Sequence, residues 1–308
     1  MWFTSWLRKW KSNPGTQGHS HRRPAAPRFR PRLEALEDRW MPSTLTVTNN
    51  LDSGRGSLRY EIAHAHSNDT IVFAPSLDGQ TITLTSGELD ITAKSLTIEG
   101  PGANQLTVSG GDTSRVFEVA GTSSVTLSGL TISNGSGVAA RGLLSPNDDK
   151  GGGVLNFGTV TVSGCTVSGN FANDPSGNTY GGGIYNGGTL TVSNSTVFHN
   201  SLNVVNGEVL AGFGGGIYNA GTLTVTGGVV SSNVAGAGGG IYNAGTATVG
   251  HCTLSGNAAI SGNIYSVGGG IYNAGTAGAL TVFDSSFILN KPDNIYGPYT
   301  DGGGNTFS

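Results

Sequence analysis

A six-residue phrase that recurs five times constrains the fold of this chain more than any other feature. It reads Gly-Gly-Gly-Val-Leu-Asn or Gly-Gly-Gly-Ile-Tyr-Asn, and it occupies residues 151–156, 181–186, 214–219, 238–243 and 268–273. In four units a closing Asn follows 19 residues after the first Gly, and in the fifth it comes three residues later, at Asn290, because 277–279 look inserted. A constant core with spacers of variable length predicts a repeat architecture, in which each unit buries its apolar side against its neighbours.

Apolar and polar residues alternate within each unit, as they do in short β-strands. In the unit at 181–200, Leu190 and Val192 alternate with Thr189 and Thr191, and the unit is too rich in Gly and β-branched residues for a helix. We therefore interpret each unit as one turn of a parallel β-coil, with neighbouring turns about 4.8 Å apart. Stacking the units predicts three buried apolar columns. These are Val154, Ile184, Ile217, Ile241 and Ile271; Val162, Val192, Val225, Val249 and Val282; and Val167, Val197, Val230 and Leu254.

Two further predicted columns consist of asparagine. Asn tolerates corner conformations, and its amide both donates and accepts hydrogen bonds, so stacked Asn side chains can satisfy one another from turn to turn. We expect Asn134 to extend the second column. The first column contains Asn156, Asn186, Asn219, Asn243 and Asn273, and the second contains Asn170, Asn200, Asn233 and Asn257.

This pattern resembles the right-handed parallel β-helix family, and the Gly-Gly-Gly-Ile-Tyr-Asn phrase resembles the repeats of the polymorphic outer-membrane proteins. The resemblance covers roughly residues 80–308. It implies an all-β fold, a single-stranded right-handed parallel β-helix, and it implies no particular activity. The right-handed sense also agrees with the general rule for crossovers between parallel strands.

Residues 1–43 do not fit the repeat and are expected to form a basic, disordered leader. They combine Arg with Pro and lack the long apolar core of an ordinary signal peptide. The segment Arg32–Ser43 resembles the Leu-Glu-x-Leu-Glu-Asp-Arg-x-x-x-Pro-Ser motif that opens many planctomycete-type extracellular proteins. That resemblance implies export to the cell surface or the medium. The alternative is a short amphipathic helix without a targeting role.

Residues 44–79 are expected to cap the coil with a strand, a helix at 57–66 and a second strand. Ser57 can cap the helix, whose Leu58, Ile62 and Ala65 share one face. A solenoid needs such a cap to cover its open end. Residues 80–308 then form the parallel β-helix itself.

The net charge of the chain after residue 41 narrows the choice of partners. Residues 42–308 hold seven Lys/Arg against sixteen Asp/Glu, a net charge of −9, which argues against nucleic acid as a partner. No run of 18 apolar residues is present, so no transmembrane segment is predicted.

Cys165 and Cys252 occupy equivalent places three turns apart, about 14 Å, so we expect buried free thiols rather than a disulfide.

Candidate chemistry is sparse. Between 151 and 290 there is no Lys or Arg, and the acidic residues are Asp174, Glu208 and Asp284. The densest charge is Asp148 and Asp149, beside Lys150, which we interpret as a solvated loop with a lesser alternative of a binding site. We predict no catalytic residue, no metal site and no cofactor.

One row of residues is suggestive of binding. If Ile184 points inward, its neighbour Tyr185 points outward, because adjacent residues of a strand alternate. An exposed aromatic row of this kind suits the flat faces of sugars or a partner surface. The alternatives are that the spacers cover the row or that the rings pack inward. The row consists of Tyr185, Tyr218, Tyr242 and Tyr272.

Two functions remain open at this point. The first is an exported, non-enzymatic surface protein, adhesive or structural, that contacts polysaccharide or envelope proteins. The second is a polysaccharide lyase or glycoside hydrolase, similar to pectate lyases, that acts on an acidic polysaccharide. Catalytic groups must meet around one bond, so three charged side chains that converge within about 6 Å in one groove would favour the enzyme. The oligomeric state is left open.

Overall fold

The computed structural model describes residues 41–137, 149–172, 179–202, 204–205, 208–209, 212–260 and 266–308. Strands from successive coils pair in parallel and in the register that the repeats predict, so the predicted parallel β-helix is confirmed. Of the predicted leader at 1–43, residues 1–40 lie outside the described residues.

Three long sheets form the sides of the coil. Sheet A has ten strands: Thr44–Val47, Asp69–Phe73, Ser95–Glu99, Ser124–Ser128, Thr159–Ser163, Thr189–Ser193, Thr222–Thr226, Thr246–Gly250, Leu280–Phe283 and Thr300–Asp301. Sheet B has nine: Gln80–Thr83, Leu106–Ser109, Thr131–Ser133, Thr166–Ser168, Thr196–Phe198, Val229–Ser231, Thr253–Ser255, Ser286–Ile288 and Thr306–Phe307. Sheet C has eight: Leu89–Ile91, Phe117–Val119, Val154–Asn156, Ile184–Asn186, Ile217–Asn219, Ile241–Asn243, Ile271–Asn273 and Ile295–Tyr296.

Shorter elements complete the described chain. Sheet D consists of Phe171–Ala172, Ser201–Leu202, Val234–Ala235 and Ala258–Ala259. An antiparallel pair, Val204–Val205 with Glu208–Val209, lies within one spacer. Two 3₁₀ turns span Pro75–Leu77 and Ala277–Ala279.

The three predicted apolar columns form the centre of the core. Ile184, Ile217 and Ile241 are register partners in sheet C, and each is fully buried. Val192 and Val225 occupy the same relation in sheet A, and Val197 and Val230 in sheet B. Because like residues stack on like, apolar burial is continuous along the axis even though a single coil is too small to form a core.

Both asparagine columns are hydrogen-bonded ladders inside the coil. In the first, Asn156 Nδ2 donates to Asn186 Oδ1 at 2.7 Å, and Asn186 Nδ2 donates to Asn219 Oδ1 at 2.7 Å. In the second, Asn200 Nδ2 donates to Asn233 Oδ1 at 3.0 Å. Each rung also donates to a backbone carbonyl, so these buried amides are satisfied.

The prediction that Asn134 extends the second ladder is wrong. Register places Ser133 opposite Ser168, so Asn134 pairs with Gly169, and Gly135 takes the place opposite Asn170. Asn134 is exposed, and the Gly135 amide donates to Asn170 Oδ1 at 2.8 Å instead. The ladder therefore begins at Asn170, whose side-chain oxygen accepts a hydrogen bond from the Gly135 backbone amide on its N-terminal side.

The cap is built around one helix, Leu58–His64. Ser57 Oγ accepts a hydrogen bond from the Tyr60 amide at 3.2 Å, the expected N-cap arrangement, and Leu58 and Ile62 are buried in the same core as the coils. Lys94 Nζ donates to the Ile62 carbonyl at 2.9 Å near the other end. The helix thus covers apolar residues that would otherwise lie at the open end of the stack.

Both cysteines are free and buried, as predicted. They lie in a corner column with Ser195, whose Oγ accepts from the Cys165 amide at 3.0 Å. Burial raises the pKa of Cys165 to about 11 and also raises the pKa of Cys252. Such thiols carry little reactive thiolate at neutral pH, so their role is packing.

Candidate functional site

The predicted tyrosines lie on the outer face of sheet C because each is flanked by two inward residues. Ile184 and Asn186 are fully buried, and Tyr185 between them is half-buried. Register repeats this arrangement for Tyr218, Tyr242 and Tyr272, and it adds a fifth member, Tyr296, which is 47% exposed. The resulting tyrosine stack consists of Tyr185, Tyr218, Tyr242, Tyr272 and Tyr296.

The rings of the tyrosine stack lie face to face along the axis. Successive centroids are 5.3, 5.2, 4.7 and 5.4 Å apart, with interplanar angles of 12°, 11°, 8° and 20°. The ring faces inside the stack are therefore occupied by neighbouring rings. Flat sugar faces, which the sequence led us to expect as partners of these rings, can contact only the ring edges and hydroxyls along most of the row.

A second, shorter aromatic row runs beside the tyrosine stack and was missed from the sequence. Isolated parallel bridges connect Lys150, Tyr180, Phe213 and Ala237, the residues that immediately precede the Gly-Gly-Gly phrases. Tyr180 and Phe213 stack at 5.7 Å and 25°, and Tyr180 meets Tyr218 edge to face at 4.9 Å and 71°. The row was missed because its residues occupy the position before each phrase, which in the sequence is the end of a spacer of variable length.

A pocket opens where the two aromatic rows meet Lys150. It has a volume of about 320 Å³ and is lined by Lys150, Tyr180, Tyr185 and Tyr218. Lys150 Nζ lies 5.9 Å from the centroid of the Tyr185 ring and 3.8 Å from Asp149 Oδ1. Of the two predicted acidic residues, Asp149 therefore adjoins this pocket, whereas Asp148 lies outside the described residues. We call the tyrosine stack, Tyr180, Phe213 and this pocket the aromatic strip.

Burial and mutual proximity make the phenols of Tyr185, Tyr218 and Tyr242 hard to ionise. Burial raises the pKa of Tyr218 to about 12, and the neighbouring phenols of Tyr185, Tyr242 and Tyr180 act in the same direction. Burial likewise raises the pKa of Tyr185 and of Tyr242. At neutral pH these three residues present uncharged hydroxyls that can both donate and accept hydrogen bonds.

An alkaline titration can test this environment. The folded chain is expected to keep the Tyr218 proton to about pH 12, whereas the unfolded chain loses it near 10. Stability associated with this phenol is therefore complete below pH 10 and is lost as pH rises through about 12. Phenolate absorbance should show a component near pH 12 that disappears in Tyr218→Phe. A single transition near pH 10 for all tyrosines would contradict the stacked arrangement.

Three carboxylates converge on sheet C before the tyrosine stack begins. Glu88, Asp90 and Glu118 can each place one oxygen within 4.8 Å of the others. Asp90 and Glu118 are register partners on the outward column that continues through Leu155 to Tyr185. The cluster meets the distance part of the criterion that favours an enzyme. It was missed because the coils before 134 lack the repeat phrase, so their register could not be aligned by sequence.

A buried arginine accounts for two of these carboxylates. Arg115 is 1% exposed, its Nη1 donates to Glu118 Oε2 at 3.0 Å, and the same nitrogen lies 3.8 Å from Glu88 Oε1. Its other nitrogens donate to backbone carbonyls, including that of Lys150 at 3.0 Å. A buried guanidinium requires counter-charges, so Glu88 and Glu118 have a structural role that is independent of any ligand. Asp90 is exposed beside them.

Comparisons with protein-family models, with curated proteins and with solved structures give no match to this chain. Within the described ranges, no helix combines the length and apolar character needed to cross a membrane. The fold and its surfaces define the class of protein, a parallel β-solenoid with internal asparagine ladders and an aromatic strip on one side.

Proposed function

We propose that this chain is an exported, non-enzymatic surface protein that binds polysaccharide, or a glycan-bearing envelope protein, through the aromatic strip. Export is the expectation from the leader motif Arg32–Ser43. The observation that carries the binding role is the pocket of Lys150, Tyr180, Tyr185 and Tyr218, which lies at one end of a rigid row of tyrosine hydroxyls.

The geometry of the strip supports a carbohydrate ligand in two ways. A pocket of about 320 Å³ is at the small end of ligand sites and is of the size for one or two sugar rings. Tyr180 forms one aromatic wall, and the edges of Tyr185 and Tyr218 supply apolar contact together with hydroxyls. Beyond the pocket, the hydroxyls recur once per coil, which suits an extended chain that lies along the axis.

Rigidity supports the same proposal. Apart from the exposed Tyr296, the rings of the strip are half-buried and held by stacking, so binding immobilises few side chains and loses little conformational entropy. Lys150 is the only charged residue among the described residues that line the pocket, and its Nζ lies 3.8 Å from Asp149 Oδ1. Because these two charges are opposite in sign, a ligand that is recognised chiefly through its hydroxyl groups and rings fits the pocket.

Loss of the pocket should weaken binding without unfolding the chain. We expect Tyr180→Ala in the full chain to lower affinity for polysaccharides found by a glycan-array screen by at least about tenfold, because aromatic residues in pockets dominate binding energy. Phe198→Ala is the matched control, because Phe198 is a half-buried aromatic on sheet B, away from the strip. Equal affinities for the wild type and Tyr180→Ala would contradict the proposal.

The second candidate function is a polysaccharide lyase or glycoside hydrolase, and the convergence of Glu88, Asp90 and Glu118 is the observation that favours it. Paired carboxylates could serve as acid and base for a sugar chain that lies across sheet C. We rank it second because Arg115 explains two of the three groups. Release of unsaturated or reducing sugars by the wild type, and its loss in Asp90→Asn, would reverse this order.

A further inference from the structure

Sheet A carries an unbroken column of threonine on its outer face. Every one of its ten strands contributes one Thr, and each is the register partner of the next. No slip of register interrupts the column from the first coil to the last. Its members are Thr44, Thr70, Thr97, Thr126, Thr161, Thr191, Thr224, Thr248, Thr281 and Thr300.

Columns of hydroxyl residues flank this threonine column on both sides. From Ser124–Ser128 to Thr246–Gly250, every outward position of sheet A except Gly250 is Ser or Thr. These five strands themselves carry no charged or aromatic residue on this face, but the ring of Phe283, on the next strand, lies over Gly250 at the edge of the face. The outer members Thr159, Thr189, Thr222 and Thr246 are exposed, and the central column is half-buried between its neighbours. We call this surface the hydroxyl grid.

Strand propensity alone does not account for the grid. Exposed strands accept Val, Ile, Tyr and Phe as readily as Thr, and ordinary protein surfaces are about a quarter or more charged. The body as a whole has a charge of −9, from seven Lys/Arg against sixteen Asp/Glu in residues 42–308, yet none of that charge lies on these five strands. The face is thus uncharged and chemically uniform on a protein that is charged elsewhere.

The grid is also regular, because the strands that carry it pair without a slip of register from Ser124–Ser128 to Thr246–Gly250. Strand spacing and residue rise then give hydroxyls about 4.8 Å apart along the axis and about 6.6 Å apart along a strand. Thr is stiff at χ1, so its hydroxyl and methyl groups hold their positions.

We propose that the hydroxyl grid binds the surface of ice. An ice face is an uncharged, flat lattice of oxygens, each of which donates and accepts hydrogen bonds, with repeats of the same order as the grid. A hydroxyl can donate or accept, so it matches either orientation of the lattice water, whereas a Lys or Glu side chain can do only one. Methyl groups between the hydroxyls exclude mobile solvent, and the uncharged face brings no tightly held hydration shell with it.

The test is incorporation of the full chain into slowly grown ice, together with thermal hysteresis of the solution. Wild type is expected to concentrate in the ice and to separate the freezing point from the melting point. The double variant Thr191→Lys with Thr224→Lys places two ammonium groups at adjacent central positions, and it should remain in the liquid. The matched control is Thr166→Lys with Thr196→Lys, which are adjacent half-buried outward positions on sheet B, and it should behave as wild type.

Each result decides the proposal. Exclusion of wild type from ice overturns it, as does retention of ice binding by the central lysine variant. Circular dichroism checks that the variants fold, and Thr189→Lys with Thr222→Lys, at exposed positions, replaces the central pair if that pair unfolds the chain. Adsorption of wild type to insoluble crystalline polysaccharide through this same face, without ice binding, would also overturn the proposal. It would show that the grid binds a polysaccharide surface instead.

Discussion

Replacing Gly215 with alanine is expected to destabilise the chain by about 3 to 5 kcal/mol, among the largest effects of a single substitution. A Cβ at this position would lie 2.5 Å from the Val234 carbonyl oxygen and 2.6 Å from the Gly239 carbonyl oxygen. Both atoms belong to the backbone of adjoining segments, so neither can move without breaking the stack. Urea unfolding followed by circular dichroism measures the loss.

Gly164→Ala separates lack of space from conformational strain. Gly164 has a φ of +59°, where a side chain is strained, but a Cβ there would meet nothing within 4 Å. We expect it to cost only about 1–2 kcal/mol. Similar losses at Gly164 and Gly215 would show that backbone conformation, and not contact with the neighbouring coil, explains the glycine phrase. The middle glycines Gly152 and Gly182 have equally close carbonyls, which is why the phrase recurs unchanged.

Asn233→Ala is expected to destabilise the chain by about 3 kcal/mol or more, because it breaks a ladder in both directions. Asn233 Oδ1 accepts from the Asn200 amide and from Asn200 Nδ2, both at 3.0 Å. Its Nδ2 donates to Asn257 Oδ1 at 2.9 Å and to the Val197 carbonyl at 3.0 Å. Alanine would remove all four bonds and leave the buried Asn200 amide without this acceptor, which is costly, although Asn200 Nδ2 keeps its bond to the Val167 carbonyl and Asn257 Oδ1 keeps that from the Asn233 amide.

The control for the ladder is Asn104→Ala, because Asn104 is exposed. It should change the free energy of unfolding by less than about 0.5 kcal/mol. Asn233→Asp adds a second comparison, since the carboxylate can accept from Asn200 but cannot donate onward to Asn257. If thermal melts of Asn233→Ala and Asn104→Ala coincided, the ladder would have no energetic role and the apolar columns alone would hold the coils together.

The repeat made the architecture predictable, because identical residues at fixed spacing can satisfy one another only by stacking. Ile184, Tyr185 and Asn186 could be assigned inward, outward and inward from alternation alone, and the structure has them so. The equivalent places of Cys165 and Cys252 in their units also predicted that both thiols are buried and free, and the structure has them so. The prediction failed at Asn134 because the segment 131–135 carries its Asn one position earlier than the segment 166–170, so in register Gly135, and not Asn134, lies opposite Asn170.

The surfaces were less predictable than the core, for a physical reason. Whether Tyr185 offers its face or its edge depends on side-chain torsion and on the distance to Tyr218, and neither follows from a pattern of letters. The carboxylate cluster lies in the irregular early coils, where no repeat aligns Glu88 with Glu118. The two carboxylates come together because both lie beside the Arg115 guanidinium. The threonine column was present in the sequence as alternation, but its continuity over every coil of sheet A required the pairing of strands.

The two asparagine ladders also give the solenoid an electrical direction. Along each ladder, the Nδ2 of one rung donates to the Oδ1 of the rung on its C-terminal side, and this sense never reverses. The amide dipoles therefore add head to tail, and each polarises the next. Backbone groups terminate the first ladder at both ends, with the Gly158 amide at Asn156 and the Thr276 carbonyl at Asn273. A chain built this way has a positive and a negative pole, as a single α-helix does, but it derives them from side chains.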